Sequence, residues 1–264
     1  MLFVEHPRCH YTRSPLVEVI CQLRFPTILA IDAKEPADFQ EVIRHTFPRY
    51  AVKKEQPAPR ITGLGTPQAK VEQLPPINNY TFISEDGFWK MNLTKDFISL
   101  STLRYTSWED FASQLDKALA SFIQIYQPDS FTRVGLRYVN AVSRKALGLS
   151  DLLWDDLIQT PYLGILGEPD VDETQVTKCS VDIEKKLPDN CHLKVHAGPG
   201  LLGARGKQDP EPRFILDQDL SHTGALPVGQ VAEQLETLHK YAGQLFHGAI
   251  TDELHNAMGP VALA

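Results

Sequence analysis

Two arginines four positions apart flank a glycine in the stretch "RVGLR": Arg133 and Arg137 fall on one side of an alternating pattern, and Gly135 leaves bare backbone between them. Two guanidinium groups across such a gap can cradle a carboxylate or phosphate, because each offers a planar fork of donors. The plainer reading is ion pairing within the fold, to Glu18 across a neighbouring strand or to Asp182 and Glu184, since partly buried arginines are normally paired. A second set occupies alternate positions of "HLKVH": His192, Lys194 and His196 share a face, and Lys178, Ser180, Asp182 and Glu184 of the preceding stretch point the same way. Imidazoles beside a carboxylate such as Asp182 can relay protons or ligate a metal. The alternative is a solvated, cross-paired strand face, for no third or fourth ligand stands at metal-site spacing.

Other chemistry-bearing residues carry weaker patterns. His6, Cys9 and His10 lie close together, but a structural zinc site would need a fourth ligand from elsewhere, and no metal is expected. His239, His247 and His255 recur every eight residues; on one continuous helix each is rotated by roughly 80° from the last, so they share no face. The four cysteines, Cys9, Cys21, Cys179 and Cys191, form no C-x-x-C pair and read as free thiols. "GPGLLG" at 198–203 satisfies G-x-G-x-x-G, yet it leads through Pro210 and Pro212 into a strand. No helix N-terminus would face a pyrophosphate, so a glycine-rich hairpin or loop is expected. "ARGKQ" has Gln208 where a phosphate loop needs Ser or Thr, and "GxSxG" is absent. No cofactor is expected. Whether the chain is an enzyme stays open, because catalytic groups assemble from distant segments.

The elements that must position these residues follow from periodicity. Val17, Val19, Cys21, Leu23 and Phe25 alternate with Glu18, Gln22 and Arg24, the pattern of a half-buried strand. "EPADFQEVIRHTF" has helical spacing and "YAVKKEQ" reads as a short strand. Residues 56–79, with five prolines, form a loop or edge excursion. A meander follows ("YTFIS", "FWKMNL", "FISLSTL"), then a helix from Ser107 that stops before Pro128. A strand recurs at 131–142, then a short helix around "SDLLWDDLIQ", strands at "QVTKCSVDIEKK", "CHLKVHAG" and "RFILDQDL", and a long helix striped by Val231, Leu235, Leu238, Ala242 and Leu245.

The order strand, helix, three strands, long helix thus appears twice. This predicts a single α+β domain over 1–264 made of two pseudo-repeats, about 11–128 and 131–258. They would share one antiparallel sheet of about eight strands with helices on one face. The two similar strands would be neighbours at the centre, with Arg133 and Arg137 set against Glu18 and Gln22.

The blocks "YTRSPLVEVICQLRFP", "FQEVIRHTFPRY", "FISLSTLRYTSWEDF", "RVGLRYVNAV" and "LFHGAITDEL" together resemble a sporadically distributed bacterial family of this length whose members have no assigned function. The resemblance covers nearly the whole chain but implies no catalytic residue, substrate or cofactor. A patchy distribution implies an accessory or defence-type role. The order of elements also resembles that of the saddle-shaped TATA-binding-protein fold.

Charge constrains what the uncovered sheet face can meet. The chain carries 26 basic and 33 acidic residues, a net charge of −7, which disfavours a general polyanion binder. Arg24, Lys90, Arg133, Arg137, Lys178 and Lys194 on that face are matched by Glu18, Asp182, Glu184, Asp217 and Asp219. A duplex-DNA saddle needs an excess of cations and apolar wedges, so duplex DNA is not an expected partner. No apolar run is long enough to span a membrane, and "MLFVEHPRCHYTRSP" lacks a secretory core, pointing to the cytoplasm. A mixed-charge face with Phe88 and Phe97 at one end suits a non-enzymatic binding or accessory module that meets a protein partner or itself. One alternative is an enzyme or sensor whose small anionic ligand is held by Arg133 and Arg137. Another is single-stranded nucleic-acid binding, which would require stacking aromatics beside the arginines.

Overall fold

The computed structural model describes residues 1–63, 70–204 and 207–262. In chain order these contain β1 (Cys9–Tyr11), β2 (Leu16–Arg24), α1 (Leu29–Ala33), α2 (Ala37–Ile43), β3 (Arg49–Glu55), β4 (Arg60–Thr62) and β5 (Lys70–Glu72). Then come β6 (Ile77–Ile83), β7 (Trp89–Leu93), β8 (Phe97–Thr102), α3 (Trp108–Tyr126), β9 (Ser130–Val142), α4 (Arg144–Leu147) and α5 (Trp154–Leu157). Three short 3₁₀ turns lead to β10 (Val181–Lys186), β11 (Cys191–Ala204), β12 (Lys207–Pro227), α6 (Val231–Ala249), α7 (Asp252–Ala257) and β13 (Pro260–Ala262).

Among the described residues, nine strands form one antiparallel sheet in the order β10-β11-β12-β9-β2-β8-β7-β6-β3. Strands β2 and β9 meet at its centre. From each, the chain crosses to a far edge through short helices and winds back to the neighbour of its starting strand, β8 or β12. The halves differ in strand number. Four strands of this sheet follow the short helices in the first half and three in the second, so the sheet has one strand more than the expected eight.

Alternation decides which face is covered. Val19, Cys21, Leu23, Met91, Leu100, Val134, Leu136, Leu216 and Leu220 are buried on one side, where α3 and α6 pack. Phe39, Phe82, Phe111, Phe122, Phe131 and Phe214 are fully enclosed in the same core, each worth roughly 1.5–3 kcal/mol of burial. Helix α3 begins where Ser107 Oγ accepts the Asp110 N–H at 3.1 Å. It ends with Gln127 in the left-handed region (φ 47°) ahead of Pro128, as its sequence predicts.

Two sequence expectations that left alternatives open are resolved. The proline-rich stretch 56–79 is not all loop: β4 pairs with β5, and β6 begins at Ile77; the glycine-bearing tip at 64–69 lies outside the described residues. The "GPGLLG" stretch is hairpin rather than loop: it is the far part of β11, which continues to Ala204 and pairs antiparallel with a 21-residue β12 as far as Ala204 opposite Lys207. Proline fits there because β10 pairs with β11 only as far as Ala197, and β9 pairs with β12 only from Phe214. Pro199, Pro210 and Pro212 therefore each have one strand edge without a described ladder partner, where a missing N–H costs nothing. The "ARGKQ" segment straddles 205 and 206, outside the described residues.

Candidate functional site

The uncovered face of β9, β12, β11 and β10 carries all six residues singled out from the sequence: Arg133, Arg137, His192, Lys194, His196 and Asp182. Register places them in rows. Glu184, Lys194, Asp219 and Arg137 stand side by side across four strands, alternating in sign. The next row is Asp182, His196, Asp217 and Val139, and the row on the other side is Lys186, His192, Ser221 and Gly135.

The partners within these rows are specific. Arg137 Nε donates to Asp217 Oδ1 at 2.7 Å, and its Nη2 donates to the second oxygen. Hydrogen bonding to Asp217 is the main cause that raises the Arg137 pKa above its ordinary value, against a smaller lowering by burial. Arg133 Nη2 donates to both Asp219 oxygens at 2.8 and 3.0 Å. Arg133 is opposite Thr223, not Asp219, so its side chain must run along the strand over Gly135. A Cβ built on Gly135 would lie 2.3 Å from Arg133 Nη1. The glycine is a bed for this arginine rather than a floor for a ligand. Lys194 Nζ meets Glu184 at 2.6 Å, and His196 Nδ1 meets Asp182 at 2.8 Å. His192 Nδ1 lies 3.1 Å from the Asn190 carbonyl and 3.2 Å from Thr223 Oγ1.

The cross-seam pairing expected from sequence does not form. Glu18 is opposite Val139 and Gln22 opposite Gly135, while Arg133 faces Arg24 and Arg137 faces Ile20. The arginines turn instead to β12 on their other side, and Asp182 and Glu184 pair with β11, not with them. The signal was present as Asp217 and Asp219, two acids on one face of the neighbouring strand. Lys178 and Ser180 also leave the predicted face, because β10 begins only at Val181. Their segment presses on β11 instead: a Cβ on Gly198 (φ 151°) would lie 2.4 Å from the Cys179 carbonyl oxygen.

The face continues across β2, β8, β7 and β6 as a row of amides and hydroxyls, with Gln22, Ser99, Asn92 and Thr81 in register. Asn92 Nδ2 donates to Thr81 Oγ1 at 2.9 Å and to Asn79 Oδ1 at 2.8 Å, and Asn79 donates to Glu55 at 2.9 Å. Arg24 hydrogen-bonds Gln22 at 3.1 Å, with its guanidinium 5.9 Å from the Phe97 ring centre. Phe88 stacks under Arg104, 3.5 Å from ring centre to guanidinium. Both outer strands carry paired lysines, Lys53–Lys54 on β3 and Lys185–Lys186 on β10, a charge pattern that discourages edge-to-edge pairing.

On the opposite, helical side, an open groove of about 470 Å³ is lined by Arg8, Trp108, Glu109, Lys117 and Glu236. Trp108 Nε1 donates to Glu236 at 2.5 Å, and its indole stacks on the His239 ring at 4.5 Å. His239 Nδ1 lies 2.8 Å from the Tyr138 hydroxyl, and burial lowers its pKa to about 4. The cysteines are free thiols; Cys21 is fully buried and its pKa is pushed up to about 12 by burial, which makes it a poor nucleophile.

Among the described residues no helix is long and apolar enough to cross a membrane. Compared with known proteins, the sequence matches no family model and no curated protein.

Proposed function

We propose that the protein is a cytoplasmic, non-enzymatic binding or accessory module whose open sheet face docks a protein partner, within the bacterial family that its sequence blocks resemble. One observation carries this reading. Arg133, Arg137 and Lys194, the cations of the predicted site, each already face a carboxylate of the same sheet. A small anion would have to displace Asp217 or Asp219 before reaching its donors, and a nucleic acid would meet alternating charge rather than a cationic track. A protein surface with charges in the opposite alternation matches such rows without displacing anything, and the amide and hydroxyl row of β2, β8, β7 and β6 extends the contact.

Site-specific photocrosslinking in the native host tests this reading. A crosslinker at Gln22 or Ser99 on the open face is expected to capture one defined protein, and one at Ala120 or Ala232 on the helical side is not. Equal capture from both sides, or none from the open face, overturns the proposal. A thermal shift with phosphate or small carboxylates that vanishes in Arg137→Ala would replace it with the anion-ligand reading.

A further inference from the structure

We propose that His6, Cys9 and His247, with His255 as the fourth ligand, form a binding site for a divalent transition-metal ion of the zinc class. The ligating atoms of His6, Cys9 and His247 all lie within 4.8 Å of one another. A tetrahedral zinc site with Zn–N near 2.0 Å and Zn–S near 2.3 Å has ligand atoms roughly 3.4–3.7 Å apart. Closing onto an ion thus takes about 1 Å of side-chain movement by this measure, which an exposed His6 can supply. His255 on α7 stands just outside this three-residue cluster, its ring centre 4.9 Å from that of His6 and 5.6 Å from that of His247, and must move further than the other three to serve as the fourth ligand.

The histidines are oriented as ligands are. His6 Nδ1 lies 2.8 Å from the Pro7 carbonyl, which can only accept, so Nδ1 is the donor and Nε2 is the nitrogen left to ligate. His255 Nδ1 is 2.8 Å from the Tyr11 hydroxyl; metal binding selects the tautomer in which Nδ1–H donates to Tyr11 and Nε2 is free. His6 and His247 stack with ring centres 4.1 Å apart and planes 14° from parallel. Two imidazolium ions do not favour that approach, so the geometry suits neutral rings. A thiolate with imidazoles is the donor set of a borderline-soft ion such as zinc and does not suit magnesium or calcium.

The fold brings these residues together from opposite parts of the sequence. Strand β1 pairs with β13, setting Cys9 opposite Ala262 and Tyr11 opposite Pro260. Residues 1–4 lie along α6, where the Val4 N–H donates to the Gln244 carbonyl at 3.0 Å. Gly248 makes that approach possible, since a Cβ there would meet the Leu2 carbonyl oxygen at 2.4 Å. The rotation rule that separates His247 from His255 fails because α6 ends at Ala249 and α7 starts at Asp252 in a new direction. His239 stays away under Trp108. His10, on the alternate side of β1, is exposed and lies outside the ligand cluster.

The test uses the full chain, stripped by a chelator and titrated with Co²⁺ and then with competing Zn²⁺. Expected are one ion per chain at micromolar affinity or tighter, a thiolate-to-cobalt charge-transfer band with tetrahedral visible bands, and a rise in Tm of several degrees. Cys9→Ser should delete the charge-transfer band. His6→Ala should weaken binding by more than the roughly 10–100-fold that loss of an outer partner costs, and Tyr11→Phe by about 10-fold. His10→Ala should bind as the parent does. Because His6 is exposed, its variant is expected to fold normally, which circular dichroism checks. Absence of stoichiometric binding, a charge-transfer band that survives Cys9→Ser, or unchanged affinity in His6→Ala overturns the site.

Discussion

Replacing Gly135 by alanine should have opposite consequences depending on whether Arg133 is present. The position is in regular strand, so alanine is not strained there, and removing a glycine from a strand interior stabilises by roughly 0.5–1 kcal/mol. Against this, the new Cβ would sit 2.3 Å from Arg133 Nη1 and 2.8 Å from its Cζ, displacing the guanidinium from Asp219. The lost pair is forked but partly solvated, with the two side chains 24% and 31% exposed, so its loss costs about 1 kcal/mol at most. The two effects nearly cancel in the parent, and Gly135→Ala is expected to be neutral or slightly destabilising. In an Arg133→Ala background nothing overlies the glycine, and the same change should stabilise by roughly 0.5–1 kcal/mol. The double-mutant cycle should therefore give a coupling of about 1 kcal/mol, a difference of roughly 2–4 °C in Tm. Urea unfolding of the four proteins measures it through the midpoint, provided the m-value is constant. Equal effects of Gly135→Ala in both backgrounds would mean that Arg133 does not lie over Gly135, and the account of the arginine pairing would fall with it.

Three further outcomes are expected. His239 is packed against Trp108 of α3 and Tyr138 of β9, with Arg8, Glu109 and Glu236 nearby. Its folded pKa of about 4 lies below the unfolded value near 6.5, so the unfolded chain takes up the proton first. The stability present above pH ~6.5 should fall by up to about 3 kcal/mol as the pH drops toward ~4, and urea unfolding of His239→Phe should fall less over that window; equal slopes would refute the assignment. Gly198→Ala combines a φ of 151° with a Cβ 2.4 Å from the Cys179 carbonyl oxygen, and should lower unfolding free energy by roughly 1–3 kcal/mol, against little change for Gly203→Ala, where the space is open. Gly248→Ala should lift residues 1–4 from α6, seen as faster hydrogen exchange at the Val4 amide, and should weaken Co²⁺ binding without lowering global stability, because alanine favours the helix by roughly 1 kcal/mol.

Much of the fold was legible because its signals are local. Alternation marked β2 and β9, the apolar stripes marked α3 and α6, and Ser107 and Pro128 marked the ends of α3. Where reading failed, the deciding fact was non-local. Pro199, Pro210 and Pro212 look like strand breakers, yet they sit where β11 and β12 have outrun β10 and β9. The β1–β13 pair is three residues on each strand and has no periodicity to detect. Each of the six candidate residues has its predicted face, since that depends only on parity along a strand.

The sequence by itself determined the class of fold, the covered and uncovered faces of the sheet, and the balanced charge of the uncovered one, because composition and period do not depend on what a strand pairs with. Tertiary structure alone decided that Arg133 and Arg137 answer to Asp219 and Asp217 rather than to Glu18. Partner choice depends on strand order and register, and a strand has two neighbours that its own sequence does not distinguish. It likewise decided that His6 meets His247 and His255, and that Cys9 meets His247. A change of direction after Ala249 and a glycine at 248 bring together residues that are more than two hundred positions apart, and no spacing rule along the chain reaches that far.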